Sequence, residues 1–408
     1  MNHSKPKNEI KVLLTENIHP HAVENLQANG YTNIITLPHA LDPQSLPTEH
    51  LDARILGIRS RTQVSEELLG HFPKLMSIGC FCIGTNQVDL SAACLRGIPV
   101  FNAPHSNTRS VAELVIGLTV MLMRKIFERS TAAHAGKWMK SANGSTEVRG
   151  KSIGIVGYGH IGTQVSVLAE SLGMQVNYYD HLSKLPLGNA RKISSLDELL
   201  RTSDIVTMHV PETEQTKNMI GKEQFDLMKP GACFINSSRG TVVDLDALAA
   251  VIDSGHIKSA AIDVFPVEPA DNKSPFDTPL RNHPSVILTP HIGGSTKEAQ
   301  ENIGVEVSQK LALFSDRGSS EGAVNFPALN LPAHIDTHRI LHTHRNIPGM
   351  LSQINQTLGG EGINVLSQYL LTNEHVGYVV LDIEKTVSDR LLKALKNIEG
   401  TIRARVLY

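Results

Sequence analysis

The sequence predicts an α/β protein: two doubly wound parallel-sheet domains followed by a smaller ferredoxin-like module of order βαββαβ. Three observations carry that expectation. Short apolar strands alternate with helical stretches from residue 10 to residue 101, and a second alternating series runs from Lys151 to about Ile292. After Leu313 the texture changes, first to a Ser-, Gly- and Pro-bearing run and then to four strands around two helices.

In the first series the apolar run 10–14 reads as a strand and 21–28 as its helix. The pattern repeats at 54–59 with 65–69 and at 75–79 with 89–96, and closes on a strand at 99–101. Residues 108–129 form one long helical pattern, with Ser106 or Thr108 as its cap ahead of Glu113. The second series places strands at 152–157, 175–179, 205–209, 232–236, 259–262 and 286–288. The stretch from Ser315 to Gly322 and the run on to Pro332 read as a connector. Beyond it, strands at 338–344, 364–371, 377–383 and 402–407 enclose helices at 348–358, with proline in its first turn, and 388–398.

Composition excludes several function classes. The 408 residues suffice for two to three domains, and 41% hydrophobic residues can bury several cores. A formal charge of -2 calls for neither a nucleic-acid nor a membrane partner. Four cysteines (Cys80, Cys82, Cys94, Cys233) are too few for a disulfide scaffold, and Cys80 and Cys82 lack redox or zinc spacing. The polar start and the short apolar stretch Leu114–Met123 lead us to expect a soluble, cytoplasmic protein.

One motif points to a cofactor. Gly157-Tyr-Gly159-His160-Ile161-Gly162 lies between a strand and a helical pattern, the junction at which GxGxxG binds a dinucleotide. Gly157 permits the tight turn, Gly159 removes a Cβ where pyrophosphate approaches, and Gly162 lets helix pack on strand. Free N–H groups of the helix N-terminus, around His160 and Ile161, then face the phosphates. Asp180 ends the next strand, eighteen positions after Gly162, where a carboxylate accepts from ribose hydroxyls and repels a 2′-phosphate. This favours NAD over NADP, with the neighbouring His181 as the one group that would tolerate phosphate.

Three segments downstream complete a pattern: Asn236-Ser237-Ser238-Arg239-Gly240, Asp263-Val-Phe-Pro-Val-Glu268-Pro269, and Thr289-Pro-His291-Ile-Gly293-Gly294. With the glycine turn, in this order and spacing, they resemble the D-2-hydroxyacid dehydrogenase family, and the resemblance covers nearly the whole chain. The last module looks like an ACT domain, which places the resemblance in the serine-sensitive branch that acts on phosphoglycerate. The resemblance implies a discontinuous substrate domain (1–107 and 296–330), a Rossmann-like NAD domain (108–295) and an ACT regulatory domain (335–408). It also implies a homotetramer.

Hydride transfer from an alcohol needs a base for the hydroxyl proton and a clamp for the substrate carboxylate. His291 titrates near neutral pH, and Arg239 can grip a carboxylate bidentately. Glu268 orients and stabilises the imidazolium in the family at the matching position. Ser237, Ser238, Gly293, Gly294 and Asp263 fall at cofactor positions by the same resemblance, Asp263 near the nicotinamide carboxamide.

For the substrate phosphate, Arg59-Ser60-Arg61 follows an apolar strand, and arginines at i and i+2 of an extended segment point the same way. Lys140 adds a cation that in the family reaches the neighbouring subunit's site, beside Trp138 as an interface residue. His344, Asn346 and Asn364 match the family's serine-binding segments, which implies feedback by L-serine. His334, His338, His342 and His344 lack a carboxylate or cysteine to complete a metal set, so no metal is expected. Two other readings stay open: a dehydrogenase for an unphosphorylated acid such as 2-hydroxyglutarate, and an NADH-sensing binding protein without turnover.

Overall fold

The computed structural model describes residues 5–269, 273–333, 336–384 and 389–407. His334 therefore lies outside the described residues. The chain divides into two units, Met1–Ser106 with Gln300–Tyr408, and Asn107–Ala299.

The first unit contains a five-stranded parallel sheet built from β1 (Val12–Leu14), β2 (Ile34–Thr36), β3 (Ile55–Ile58), β4 (Ser77–Cys80) and β5 (Val100–Phe101), in the order β2-β1-β3-β4-β5. Its inner strands are unbroken buried runs because helices cover both faces. Val12, Leu14 and Ile55 face the long helix Lys297–Arg317, and Leu13, Leu56 and Ile58 pack with Leu68 and Leu69 on the other side.

The second unit is a seven-stranded parallel sheet: β6 (Ser152–Val156), β7 (Gln175–Tyr179), β8 (Arg191–Lys192), β9 (Ile205–Met208), β10 (Ala232–Asn236), β11 (Ile257–Ile262) and β12 (Val286–Leu288). Its order is β12-β11-β10-β9-β6-β7-β8. The chain reverses direction across the sheet between β6 and β9, the position at which doubly wound sheets open a ligand crevice.

The C-terminal module is antiparallel. Strands β13 (His338–Arg345), β14 (Val365–Thr372), β15 (Val376–Ile383) and β16 (Thr401–Leu407) run in the order β14-β15-β13-β16, with helices Met350–Gly360 and Asp389–Lys396 between them. One face buries Ile340, Val379 and Leu381 against Ile354, Leu358, Leu391 and Leu395. The opposite face, with Leu341, Tyr378, Val380 and Leu407, shares a core with Phe314, Phe326 and Leu329. The module is therefore packed into the first unit.

Several local expectations change. The helix over 108–129 is two, Thr108–Met123 and Ile126–His134, because Lys125 adopts φ 52 and breaks the hydrogen-bond ladder. Its N-cap is Asn107 rather than Ser106 or Thr108. The helix expected over 348–358 starts at Met350 after Gly349 at φ 88, which leaves Pro348 outside it. The stretch after Arg317 is a packed strap. Ser320 Oγ donates to Pro327 O and accepts from Leu329 N, and Asn325 accepts from Val100 N and donates to Leu90 O and Ile98 O. The stretch reads as a connector, whereas Ser320 is buried and both side chains close their hydrogen bonds within the fold. No helix among the described residues is long and apolar enough to cross a membrane.

Candidate active site

The glycine turn leaves β6 with Gly157 at φ 94, where a Cβ would lie 2.5 Å from the His209 carbonyl oxygen. A Cβ on Gly162 would lie 2.2 Å from Gly157 O, so helix His160–Ser171 seats directly on the turn, with Ile161 in its first turn. Gly159 differs, since nothing lies within 4 Å of its missing Cβ. That open approach over a helix N-terminus is the cradle a pyrophosphate fills. Asp180 ends β7, accepting from Tyr158 N at 2.8 Å and Leu182 N at 2.9 Å, so it braces the turn and keeps lone pairs for ribose hydroxyls.

His209, at the end of β9, was not singled out by the motifs. Its Nε2 lies 3.0 Å from Thr207 Oγ1, and burial drives its pKa down to about 3, so the ring is neutral. After β10, Asn236 Oδ1 accepts from the N–H and Oγ of Ser238, and Asn236 Nδ2 donates to Arg239 O. Ser237 Oγ is buried at the same strand end without a partner, a donor left for a bound group. The residues present fit a dinucleotide.

Gly240 explains how Arg239 reaches its neighbours. A Cβ there would sit 1.9 Å from the carbonyl carbon of Phe265, so only glycine allows the Arg239 segment to press on Phe265–Pro266. Phe265 N in turn donates to Glu268 Oε1 at 3.1 Å, while Glu268 Oε2 lies 2.8 Å from His291 Nδ1. The structure thus brings His291, Glu268 and Arg239 within electrostatic reach of one another.

His291 sits at φ 52, a conformation disfavoured for a residue with a Cβ. Asp263 holds it there. Its carbonyl accepts from His291 N, Oδ1 accepts from Thr289 Oγ1 and Ile292 N, and Oδ2 accepts from Gly293 N at 2.9 Å. Asp263 is therefore the buried clasp of the histidine loop. Gly294 completes it, since a Cβ would lie 2.5 Å from Asn107 Nδ2. The hydrogen bond to Glu268 raises the His291 pKa above its ordinary value, against burial and Arg239. Burial pushes Glu268 up, but the His291 contact, Phe265 N–H and Arg239 outweigh it and leave the carboxyl below its usual range. This is a charged or proton-sharing dyad with Nε2 turned away from Glu268.

The first unit holds Arg59-Ser60-Arg61 at the end of β3, around Glu16, which sequence reasoning missed. Glu16 is buried, at φ 62, and accepts backbone N–H bonds from Arg59 (3.2 Å), Arg61 (2.9 Å) and Thr62 (2.9 Å). Burial raises its pKa, and hydrogen bonds from Thr62 and these N–H groups bring it below the ordinary value. The available signal was an acidic residue just past the carboxyl end of the first parallel strand. Arg59 Nη2 donates to Gln300 Oε1 at 3.0 Å, and half-exposed Arg61 has Nε 3.6 Å from Glu16 Oε2. In the second unit Trp138 is 87% exposed, and Lys140 is also exposed.

In the C-terminal module His344 is buried with its ring against Gly377, and Asn346 Nδ2 donates to Asn373 O at 2.8 Å. Exposed Asn364 donates to Glu384 Oε1 at 3.3 Å. His342 Nε2 lies 3.0 Å from Thr401 Oγ1, and burial lowers its pKa to about 4. Among the described residues no cluster of three or more metal-ligating side chains forms.

Comparison with known proteins identifies the family. The model of the D-isomer specific 2-hydroxyacid dehydrogenase NAD-binding domain matches residues 116–293, and that of the AHAS small subunit-like ACT domain matches 340–403. The chain is 55% identical over 407 residues to D-3-phosphoglycerate dehydrogenase of Escherichia coli (strain K12), covering 99% of each. It is 45% identical over 405 residues to D-3-phosphoglycerate dehydrogenase of Dictyostelium discoideum, again with 99% of each covered. The solved D-lactate dehydrogenase of Aquifex aeolicus, complexed with NAD and lactic acid, superposes with TM-score 0.67 at 27% identity, over 78% of this chain and 100% of that one. The chain belongs to the D-isomer specific 2-hydroxyacid dehydrogenase family and is an NAD-dependent oxidoreductase.

Proposed function

We propose that this enzyme oxidises 3-phospho-D-glycerate to 3-phosphohydroxypyruvate, the first step of serine synthesis, under feedback by L-serine at the ACT module. The observation that carries the chemistry is the His291–Glu268 contact of 2.8 Å with Arg239 beside it. Neutral His291 takes the C2 hydroxyl proton at Nε2, and Glu268 stabilises the imidazolium that results. Arg239 binds the substrate carboxylate and polarises the oxygen as it becomes a carbonyl. The chemistry NAD supplies when bound is acceptance of the hydride from C2. Gly157, Gly159, His160, Ile161, Gly162, Asp180, Ser237, Ser238, Asp263, Gly293 and Gly294 are assigned to holding it.

Arg59, Ser60, Arg61 and Lys140 are assigned to the substrate phosphate, and His344, Asn346 and Asn364 to serine. The three-domain division, the homotetramer and the cytoplasmic location belong to the same reading. Support comes from full-length likeness to relatives named for this reaction and from the ACT match. The test is NADH oxidation with phosphohydroxypyruvate and with 2-oxoglutarate, each with and without serine. The expected result is a higher kcat/KM for the phosphorylated acid, with inhibition that weakens at least about tenfold in Asn346→Ala. Preference for 2-oxoglutarate, or no turnover, would refute the substrate assignment.

A further inference from the structure

The carboxyl ends of β3 and β4 carry two turns, Arg59–Thr62 and 82–84, and one side chain ties them together. The parallel ladder between the strands ends where Phe81 N donates to Ile58 O at 2.7 Å. Beyond it the Arg59 carbonyl is met by a side chain, since Gln87 Nε2 donates to it at 2.6 Å. The same amide nitrogen lies 3.3 Å from Cys82 Sγ and 3.4 Å from Gly84 O. Gln87 is 4% exposed, so these contacts form away from bulk water, where an amide donor without an acceptor is costly.

The backbone of Gln87 is fixed as well. Gln87 O accepts from Val64 N at 2.8 Å, Asp89 N donates to Val64 O at 2.9 Å, and Val64 pairs with Val88 in parallel register. Asp89 then caps helix Leu90–Leu95 by accepting from Ala92 N at 2.8 Å. Gln87 therefore holds the arginine segment at two points, its carbonyl at Val64 and its amide at Arg59. Glu16 accepts from Arg59 N while Gln87 donates to Arg59 O, so both main-chain polar atoms of Arg59 end on side chains.

We propose that Gln87 is a positioning residue for specificity: it sets the Arg59 and Arg61 guanidinium groups for the substrate phosphate without touching the substrate itself. The proposal rests on the assignment of those arginines to the phosphate. A guanidinium grips an anion through a rigid fork of N–H donors, so its hold depends on where its main chain is placed. With the amide gone the Arg59 peptide is free to turn, and the loss falls on the phosphate contacts rather than on the chemistry of His291.

NADH oxidation with phosphohydroxypyruvate and with hydroxypyruvate, the same acid without its phosphate, tests this. In Gln87→Met, which keeps the size and loses the donor, the ratio of kcat/KM for the two acids should fall about tenfold, through KM for the phosphorylated one. An unchanged ratio, even with a lower Tm, would make Gln87 purely structural and overturn the proposal. In Arg59→Ala combined with Arg61→Ala, adding Gln87→Met should change the ratio no further, and a second fall of equal size would overturn it too. Gln87→Glu, equal in size and without the N–H donors, carries the same expectation where Gln87→Met does not fold, and NADH binding shows which variants have folded. A preference for the phosphorylated acid that survives loss of both arginines would refute the phosphate assignment itself, and the proposal with it.

Discussion

His291 meets two requirements at one residue: a backbone at φ 52, held by Asp263, and a ring whose Nδ1 contacts Glu268. Loss of a general acid/base removes ~10²–10⁴-fold of rate, so His291→Ala should collapse kcat while NADH still quenches or shifts protein fluorescence on binding. Glu268 raises the His291 pKa, so the acid limb of alcohol oxidation, which needs the neutral ring, should lie above the ordinary histidine value. In Glu268→Gln that support is gone and the histidine pKa falls. The acid limb of kcat/KM should then move to lower pH, with a reduced plateau because the ring is less well oriented. An unmoved limb would separate Glu268 from the titration.

At the scale of elements, loops are set by groups that the motif leaves out. Glu16 draws three backbone N–H groups of the Arg59–Thr62 segment onto one carboxylate. A hydrogen bond to a charged group contributes about 1.5–3 kcal/mol, so Glu16→Gln should raise KM for phosphoglycerate roughly tenfold, with NAD binding unchanged. The sign with pH follows from its lowered pKa: the contribution is full above the ordinary carboxyl value and is lost as pH falls through the folded one. Acid unfolding of Glu16→Gln should accordingly show a shallower pH dependence. Gly240 acts on the other unit's loops in the same indirect way. With a Cβ placed 1.9 Å from Phe265, Gly240→Ala must displace Arg239 or the Glu268 segment. A shift near 1 Å costs about 10²-fold, so kcat/KM should fall by that order while the nucleotide still binds.

For the molecule as a whole, the C-terminal sheet and the first parallel sheet share a core through Phe314, Phe326, Leu329, Leu341 and Tyr378. A cut after Pro332 should therefore expose apolar surface as well as remove the ACT module. Burial of each such side chain contributes ~1.5–3 kcal/mol, so thermal melts of the truncated chain should show a Tm lower by about 4 °C or more. Gel filtration should show self-association. Serine response is better read from point variants that leave this core intact.

Much was legible in the one-dimensional pattern because it depends on local rules. Strand–helix alternation, the glycine turn at a strand end and the βαββαβ order each follow from side-chain period and backbone freedom over a few residues. Arg239, Glu268 and His291 were singled out differently, through the family resemblance that their three segments carry together. What only the fold decided lies in contacts between segments distant along the chain. These include the role of Asp263 as clasp, the buried Glu16 under the arginine loop, and the packed strap that composition read as a linker. The break at Lys125 belongs with them, because a single left-handed residue leaves little trace in periodicity. Burial determines whether a polar side chain is solvated or must find a partner, and burial is a property of the folded chain.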